Sequence, residues 1–286
     1  GKETIMSWLD LHMHTHFSDD GTYSPEELME LCAQNGVRVA AVSDHNCTRG
    51  IARAVRHASS LGIECIPAVE LDCTYQGIDL HLLGYWIDPD HPGFSQTEQA
   101  IRKQEQLAGE QRIQLAYSMG FQFDAEPLRR EKGGIVTGEM IAEAALVQDP
   151  ENPALLPYRP GGARSDNPFV NFYWDFYSQG KPCYAPIAFP TLPDTVALIH
   201  RNGGRAVLAH PGQYDNFALL PALAAAGLWG VEAHHPKHDP QQTRRCLELA
   251  ARFGLAVTGG SDAHGRFGEG ERLGERGVDP DPLAAR

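Results

Sequence analysis

Residues 10–14 read Asp-Leu-His-Met-His, and this run constrains the chain more than any other. In a β-strand, side chains at i and i+2 share a face. As a strand, the run makes His12 and His14 converge and turns Leu9, Leu11 and Met13 toward a hydrophobic layer behind them. Two convergent imidazoles supply half of a metal site. Taken alone they also suit a hydrogen-bonded structural pair. The rest of the chain weighs on that choice, because His, Asp and Glu recur where later strands should end.

The polar loop 15–21 leads to Ser24-Pro25-Glu26-Glu27, which opens a helix. Ser24 is the N-cap, Pro25 takes the first helical position and Glu27 completes a capping box. Leu28, Leu31 and Cys32 form its buried stripe, and Gly36 stops it. Residues 37–42 predict a buried strand running into Ser43-Asp44-His45-Asn46. A helix to Leu61 follows, then a strand over 63–69 that delivers Glu70, and another over 77–84 that carries His81. The alternation resumes with a helix over 192–202, a strand over 204–209 ending in His210, and a helix ending near Gly227. A strand over 228–233 leads to His234, His235 and Pro236. A helix over 240–253 and a strand over 255–260 end in Ser261-Asp262-Ala263-His264, before a loose tail.

About seven strands alternating with helices predict an α/β fold, a distorted (β/α)7 barrel of parallel strands with right-handed crossovers. In such barrels the chemistry gathers at the C-terminal ends of the strands. Residues 1–94 and 187–286 would form the barrel. Residues 95–186 begin with a long charged helix over 96–119 and continue irregular and aromatic-rich, which suggests a mostly helical insertion acting as a lid or substrate subdomain. The aromatics over 167–179 suit either a nucleobase platform or the insertion's own small core.

Composition excludes several classes. At 286 residues with 42% hydrophobic content, the chain suits one large domain or a domain with an insertion. No apolar run approaches the roughly 20 residues of a membrane span, and no basic-then-apolar stretch resembles a secretion signal. The six cysteines show no CxxC spacing and read as reduced core residues, setting the expectation of a cytoplasmic protein. A net charge of -13 argues against long nucleic acid, which demands a basic surface. Nothing suggests an obligate protein partner.

Collecting the residues at or near strand ends gives His12, His14, Asp19, His45, Glu70, His81, His210, Asp262 and His264. This set of imidazoles and carboxylates, without cysteine, suits two or three divalent ions of the Mn, Fe or Zn type. His57, His91 and His200 fall on helices or in a loop and read as structural, with His234, His235 and His238 intermediate.

In order along the chain, DLHMHTHFSDDG, SDHN, PAVEL, HLLGY, LAHPG and GGSDAH resemble the motifs of the polymerase and histidinol phosphatase (PHP) family, over residues 8–84 and 192–264. That resemblance implies a distorted seven-stranded barrel, a trinuclear metal centre and hydrolysis of phosphoesters through a metal-bridging hydroxide. Carried over, His12, His14, Glu70 and Asp262 would hold one ion, and Glu70, His81 and His210 a second. Asp19, His45 and His264 would hold the third. Three divalent ions against three carboxylates leave the pocket roughly +3 and attractive to phosphate. Asp262, His210 and His235 are candidates to move protons.

Members acting on nucleoside 3′,5′-bisphosphates carry an Arg after the HxH pair and an Arg-x-His element in the insertion. Here those neighbourhoods hold His16 and Thr137-Gly138-Glu139-Met140, so positive charge is lost. Lys181 is the candidate to bind a remote phosphate, with Arg159, Arg164 and Arg266 as possible replacements and His16 and Asn46 as further substrate contacts. The expected substrate is a small phosphorylated ribose or nucleotide. A ribose cyclic phosphate and very short oligonucleotides are the alternatives. An amidohydrolase reading lacks a strand-end lysine, and a metal-free relic would not keep all nine positions filled.

Overall fold

The computed structural model of the chain describes residues 8–267 and 273–274. Seven strands follow one another around a single sheet in chain order: β1 (Leu9–Met13), β2 (Val39–Val42), β3 (Glu64–Tyr75), β4 (Ile78–Tyr85), β5 (Arg205–Leu208), β6 (Gly230–His234) and β7 (Ala256–Gly259). A parallel bridge from Met13 to Ala263 brings the two edges together and nearly closes the sheet into a barrel. The seam is tight. His14 N donates to Ala263 O at 2.8 Å and Asp262 N to His12 O at 2.8 Å.

Alternate strand residues fill the interior: Leu9, Leu11, Val39, Ala41, Ile66, Ala68, Leu83, Tyr85 and Val207 form one buried cluster. Helices cover the outside. α1 (Pro25–Gln34) starts with the expected Ser24 capping box, and α2 (Ile51–Ser60) packs beside it. Leu28, Met29 and Cys32 of α1 meet Ala54 and Ala58 of α2 over β2. Met13 belongs to that outer cluster, while Leu9 and Leu11 lie inside. The expectation that all three share a face therefore fails. A register shift between Asp10 and Met13 breaks the period-2 alternation, as a β-bulge does.

Not every strand is parallel, contrary to the expectation. β4 runs antiparallel to both β3 and β5. The cause is local: Gln76 (φ 51°) and Gly77 (φ 78°) form a two-residue turn with both residues left-handed, the geometry that joins antiparallel hairpin strands. β3 thus runs on to Tyr75, and Glu70 sits within it rather than at its end.

Between β4 and β5 come α3 (Pro92–Ser118), α4 (Glu126–Glu131), α5 (Gly138–Gln148), α6 (Pro168–Phe176) and α7 (Leu192–Arg201). The stretch expected to be irregular therefore holds helices, α5 being capped by Thr137, whose hydroxyl accepts Met140 N. Ile113, Phe121, Val136, Met140, Leu155, Phe172 and Tyr177 give this region its own apolar cluster. The short α8 (Pro211–Tyr214) and α9 (Leu220–Ala225) follow β5, and α10 (Pro240–Phe253) precedes β7. None of the described helices is long and apolar enough to cross a membrane. All six cysteines are free. Of the expected tail, residues 268–272 and 275–286 lie outside the described residues.

Candidate metal centre

The site is built around Glu70, fully buried on β3. Its Oε2 lies 2.9 Å from His12 Nε2, 3.1 Å from His14 Nε2 and 3.4 Å from His45 Nδ1. Its Oε1 lies 2.7 Å from His81 Nδ1 and 3.0 Å from His210 Nε2. Asp262 Oδ1 joins from the barrel seam, 3.2 Å from His12 Nε2 and 3.0 Å from His14 Nε2. Two strand-end residues, His210 (φ 24°) and Asp262 (φ 55°), hold left-handed backbone, as does Asn46 (φ 54°) beside His45. Such conformations cost of order 1–3 kcal/mol each and persist where the surroundings impose them.

The hydrogen-bond partners decide which nitrogen of each ring faces inward. Ser18 Oγ donates to the buried Asp44 carboxylate at 2.8 Å, so it can only accept from His14 Nδ1, at 3.0 Å. His14 Nε2 is then a lone pair aimed at two carboxylate oxygens, and no hydrogen bond satisfies it. His12 repeats the arrangement. Its Nδ1 lies 2.8 Å from the buried Glu232 Oε2, leaving Nε2 toward Glu70 and Asp262. Lone pairs converging on carboxylates repel unless a cation stands between them, and a carboxylate behind each ligand imidazole is the usual way metal-binding histidines are oriented. The residues fit divalent ions.

Among the described residues, four groups have ligand atoms within 4.8 Å of one another: His12, His14, Glu70 and Asp262; His45, Glu70 and His81; His14, His45 and His264; and His12, Glu232 and His235. The structure puts Asp20, not Asp19, beside the third of these, 3.5 Å from His45 Nε2 and 3.3 Å from His264 Nε2. Asp19 instead lies 3.5 Å from Arg102. The Ser18–Gly21 turn separates the two aspartates, and Gly21 has no room for a side chain because a Cβ would meet Thr15 O.

Electrostatics follow the geometry. Without bound ions, His12, His45 and His81 would carry their own positive charge and, against the effect of burial, hold the Glu70 carboxyl well below its usual range. Burial and then Asp20 and Glu70 act oppositely on His45, which ends up at about 9. His235 behaves differently. Burial outweighs its 3.0 Å contact with Asp262 and pushes it down to about 4. Its Nδ1 accepts from Lys237 N, so the neutral ring presents Nε2–H to Asp262.

Four residues that sequence reasoning did not single out complete the site. Glu232 holds His12 and also accepts His210 N at 2.9 Å. Asp44 gathers Thr15 N, Thr15 Oγ1 and Ser18 Oγ. Asp72 lies opposite His81 across the β3–β4 ladder, 2.8 Å from its Nε2. Asp20 is the fourth. A signal for Asp72 was available, because Glu70 and Asp72 are two apart on one strand.

Above the metal ligands a cavity of about 600 Å³ opens between the barrel and the segment after β4. Asn46 lines it. His16 and Lys181 are exposed and lie outside its lining. Arg164 is taken up by Asp175, and Arg266 by Glu131 and Glu143, so neither reaches the cavity. These four do not stand where a substrate contact was expected of them. The half-buried Arg159 pairs with Glu151. The aromatics over 167–179 divide, with Phe172 in the apolar cluster and Tyr173 and Trp174 in the cavity wall. His57 pairs with Glu30, His91 caps α3, and His238 bridges Gly212 N and Ala233 O.

The profile of the PHP domain matches residues 10–132. The chain is 31% identical over 270 residues to the phosphoribosyl 1,2-cyclic phosphate 1,2-diphosphodiesterase of Eggerthella lenta, covering 93% of this chain and 98% of that protein. It is 30% identical to the 3′,5′-nucleoside bisphosphate phosphatase of Chromobacterium violaceum, covering 93% and 90%. It is 29% identical to the 5′-3′ exoribonuclease Rnm of Escherichia coli, covering 89% and 84%. Among solved structures, one from Bifidobacterium adolescentis, described as a metal-dependent phosphoesterase, superposes with a TM-score of 0.74 at 28% identity, covering 97% and 94%. The chain belongs to the PHP family of metal-dependent phosphoesterases.

Proposed function

We propose that the chain hydrolyses a phosphoester of a small phosphorylated ribose or nucleotide, cyclic phosphates included, at a centre of two or three Mn, Fe or Zn ions. The observation that carries this reading is the convergence of five imidazole nitrogens on the two oxygens of Glu70 within 3.4 Å. His12, His14, Glu70 and Asp262 would hold one ion, and Glu70, His81 and His210 a second. His45 and His264 would hold a third, with Asp20 in the role first given to Asp19. Bound ions supply a nucleophile at neutral pH and offset the charge developing on phosphorus and on the leaving oxygen.

The chain's own residues do the rest. Glu232 and Asp72 keep the inward nitrogens of His12 and His81 aimed at the centre. Asp262, His210 and His235 line the cavity and are the groups placed to move protons to and from the reacting oxygens. Residues 95–186 act as a substrate lid, since Tyr173, Trp174 and Arg112 of that segment line the cavity. The free thiols suit a cytoplasmic protein.

The test is phosphate release by metal-replete enzyme from phosphomonoesters, nucleoside bisphosphates and cyclic phosphodiesters. Turnover of at least one class, abolished by chelation and restored by Mn, supports the reading. No release from any of them, with metal bound, sinks it.

A further inference from the structure

The sequence offers Asn46 as a substrate contact, and the residue does line the cavity. Its hydrogen bonds point elsewhere. The side-chain oxygen accepts Asp72 N at 2.9 Å, and Nδ2 donates to Asp72 Oδ2 at 2.6 Å. The backbone N–H of Asn46 donates to Glu70 O at 2.8 Å. One residue thus grips β3 at both Glu70 and Asp72.

The reason for an asparagine here is geometric. β2 ends at Val42, and the parallel bridge of His45 to Glu70 carries the pairing a little further. Asn46 then turns the chain away with left-handed backbone, φ 54°. Asparagine enters that region more readily than most residues. Its carboxamide stands in for a peptide group of the ladder: the C=O takes Asp72 N, and an N–H remains for the Asp72 carboxylate. An aspartate could adopt the same backbone, but it has no proton to give Asp72.

Asp72 is the link to the metal ligands. With Oδ2 held by Asn46, its Oδ1 lies 2.8 Å from His81 Nε2. That oxygen accepts the Nε2 proton, which leaves the lone pair on Nδ1, 2.7 Å from Glu70 Oε1. Asp72 also lines the cavity, so a carboxylate released by Asn46 has open space to turn into. His81 would then lose the partner that selects its inward nitrogen. Supporting partners of this kind orient ligand imidazoles and raise their basicity.

We propose that Asn46 is a positioning residue of the metal centre, whose carboxamide fixes Asp72 so that His81 presents Nδ1 to the ion it would share with Glu70 and His210. This rests on the metal-centre reading above and adds a residue to its support. Asn46 acts through Asp72 and not on the substrate.

The test uses two variants of Asn46. Asn46→Gly removes the carboxamide and keeps the left-handed backbone, which glycine adopts at no steric cost. Asn46→Asp keeps an acceptor for Asp72 N and puts a like charge where the donor was. Titration of metal-depleted protein with Mn against a competing chelator should show one ion bound about 10–100-fold more weakly in both. With p-nitrophenyl phosphate, kcat should fall at limiting Mn and largely recover at saturating Mn, while KM stays within about twofold of the parent. In an Asp72→Ala background, Asn46→Gly should add little further loss of affinity, because the two act as a unit. Should Asn46→Gly fail to fold, Asn46→Asp carries the same comparison. Parent-like Mn affinity in the variants overturns the proposal, whether or not KM rises, and so does a full additional loss in the Asp72→Ala background. A parent protein that binds no Mn would instead overturn the metal-centre reading, and the proposal with it.

Discussion

Glu70 meets more imidazoles than any carboxylate beside it, and its negative charge would offset that of the ions it helps to hold. Glu70→Gln keeps the shape and removes the charge. We expect kcat to fall by roughly 10³-fold or more, the scale on which charge-stabilising groups act, with little change in circular dichroism. Near-normal turnover at full metal content would remove Glu70 from the centre. Glu232 acts one step further out, through His12 Nδ1 and His210 N. Its replacement by Gln should weaken metal binding by about 10–100-fold, as loss of such supporting partners does elsewhere. Titration against a competing chelator reads this directly, and an unchanged affinity would make Glu232 only a packing residue.

At the scale of elements, the barrel seam decides whether the ligands meet. Gly260 follows β7 directly beneath β1, and a Cβ there would come within 2.5 Å of His12 N and 2.6 Å of His12 Cβ. These are backbone and near-backbone atoms and cannot swing aside. Gly260→Ala should therefore push β7 from β1, displacing His12 and Asp262 together. We expect about 1–3 kcal/mol of destabilisation, typical of overpacking, together with weaker metal binding. Urea denaturation and metal titration of the same variant check both effects. A variant as stable as the parent would mean the seam gives way at little cost.

Over the whole molecule, the centre ties β1, β3, β4 and the ends of β5 and β7 to one cluster of charge. Cations that bind the folded chain alone stabilise it by about 2.7 kcal/mol at 100-fold excess over Kd. For a chain this size that should raise Tm by roughly 4–5 °C. Thermal unfolding with and without chelator should show the difference, and coincident curves would argue against ions that bridge strands.

Local cues were legible wherever the cause was local. The α1 capping box, the helical stretch 240–253 and the order of the seven strands follow from caps, periodicity and glycine stops within a few residues. The antiparallel β4 had its cue too, in Gln76-Gly77, which the β-loop-α rhythm obscured. Proximity of side chains was another matter. Asp19 and Asp20 are neighbours in sequence, and only the turn closed by Gly21 on Thr15 O sends Asp20 to His45 and His264. Glu232 lies 220 residues from His12 in the chain, and no spacing rule links them. The commitments of Arg164 to Asp175 and of Arg266 to Glu131 and Glu143 are likewise made by packing. The sequence by itself determined which residue types end the strands, because alternation and caps act over one or two turns. Which of them face one another was decided by the closure of β7 on β1, a contact between the two ends of the sheet.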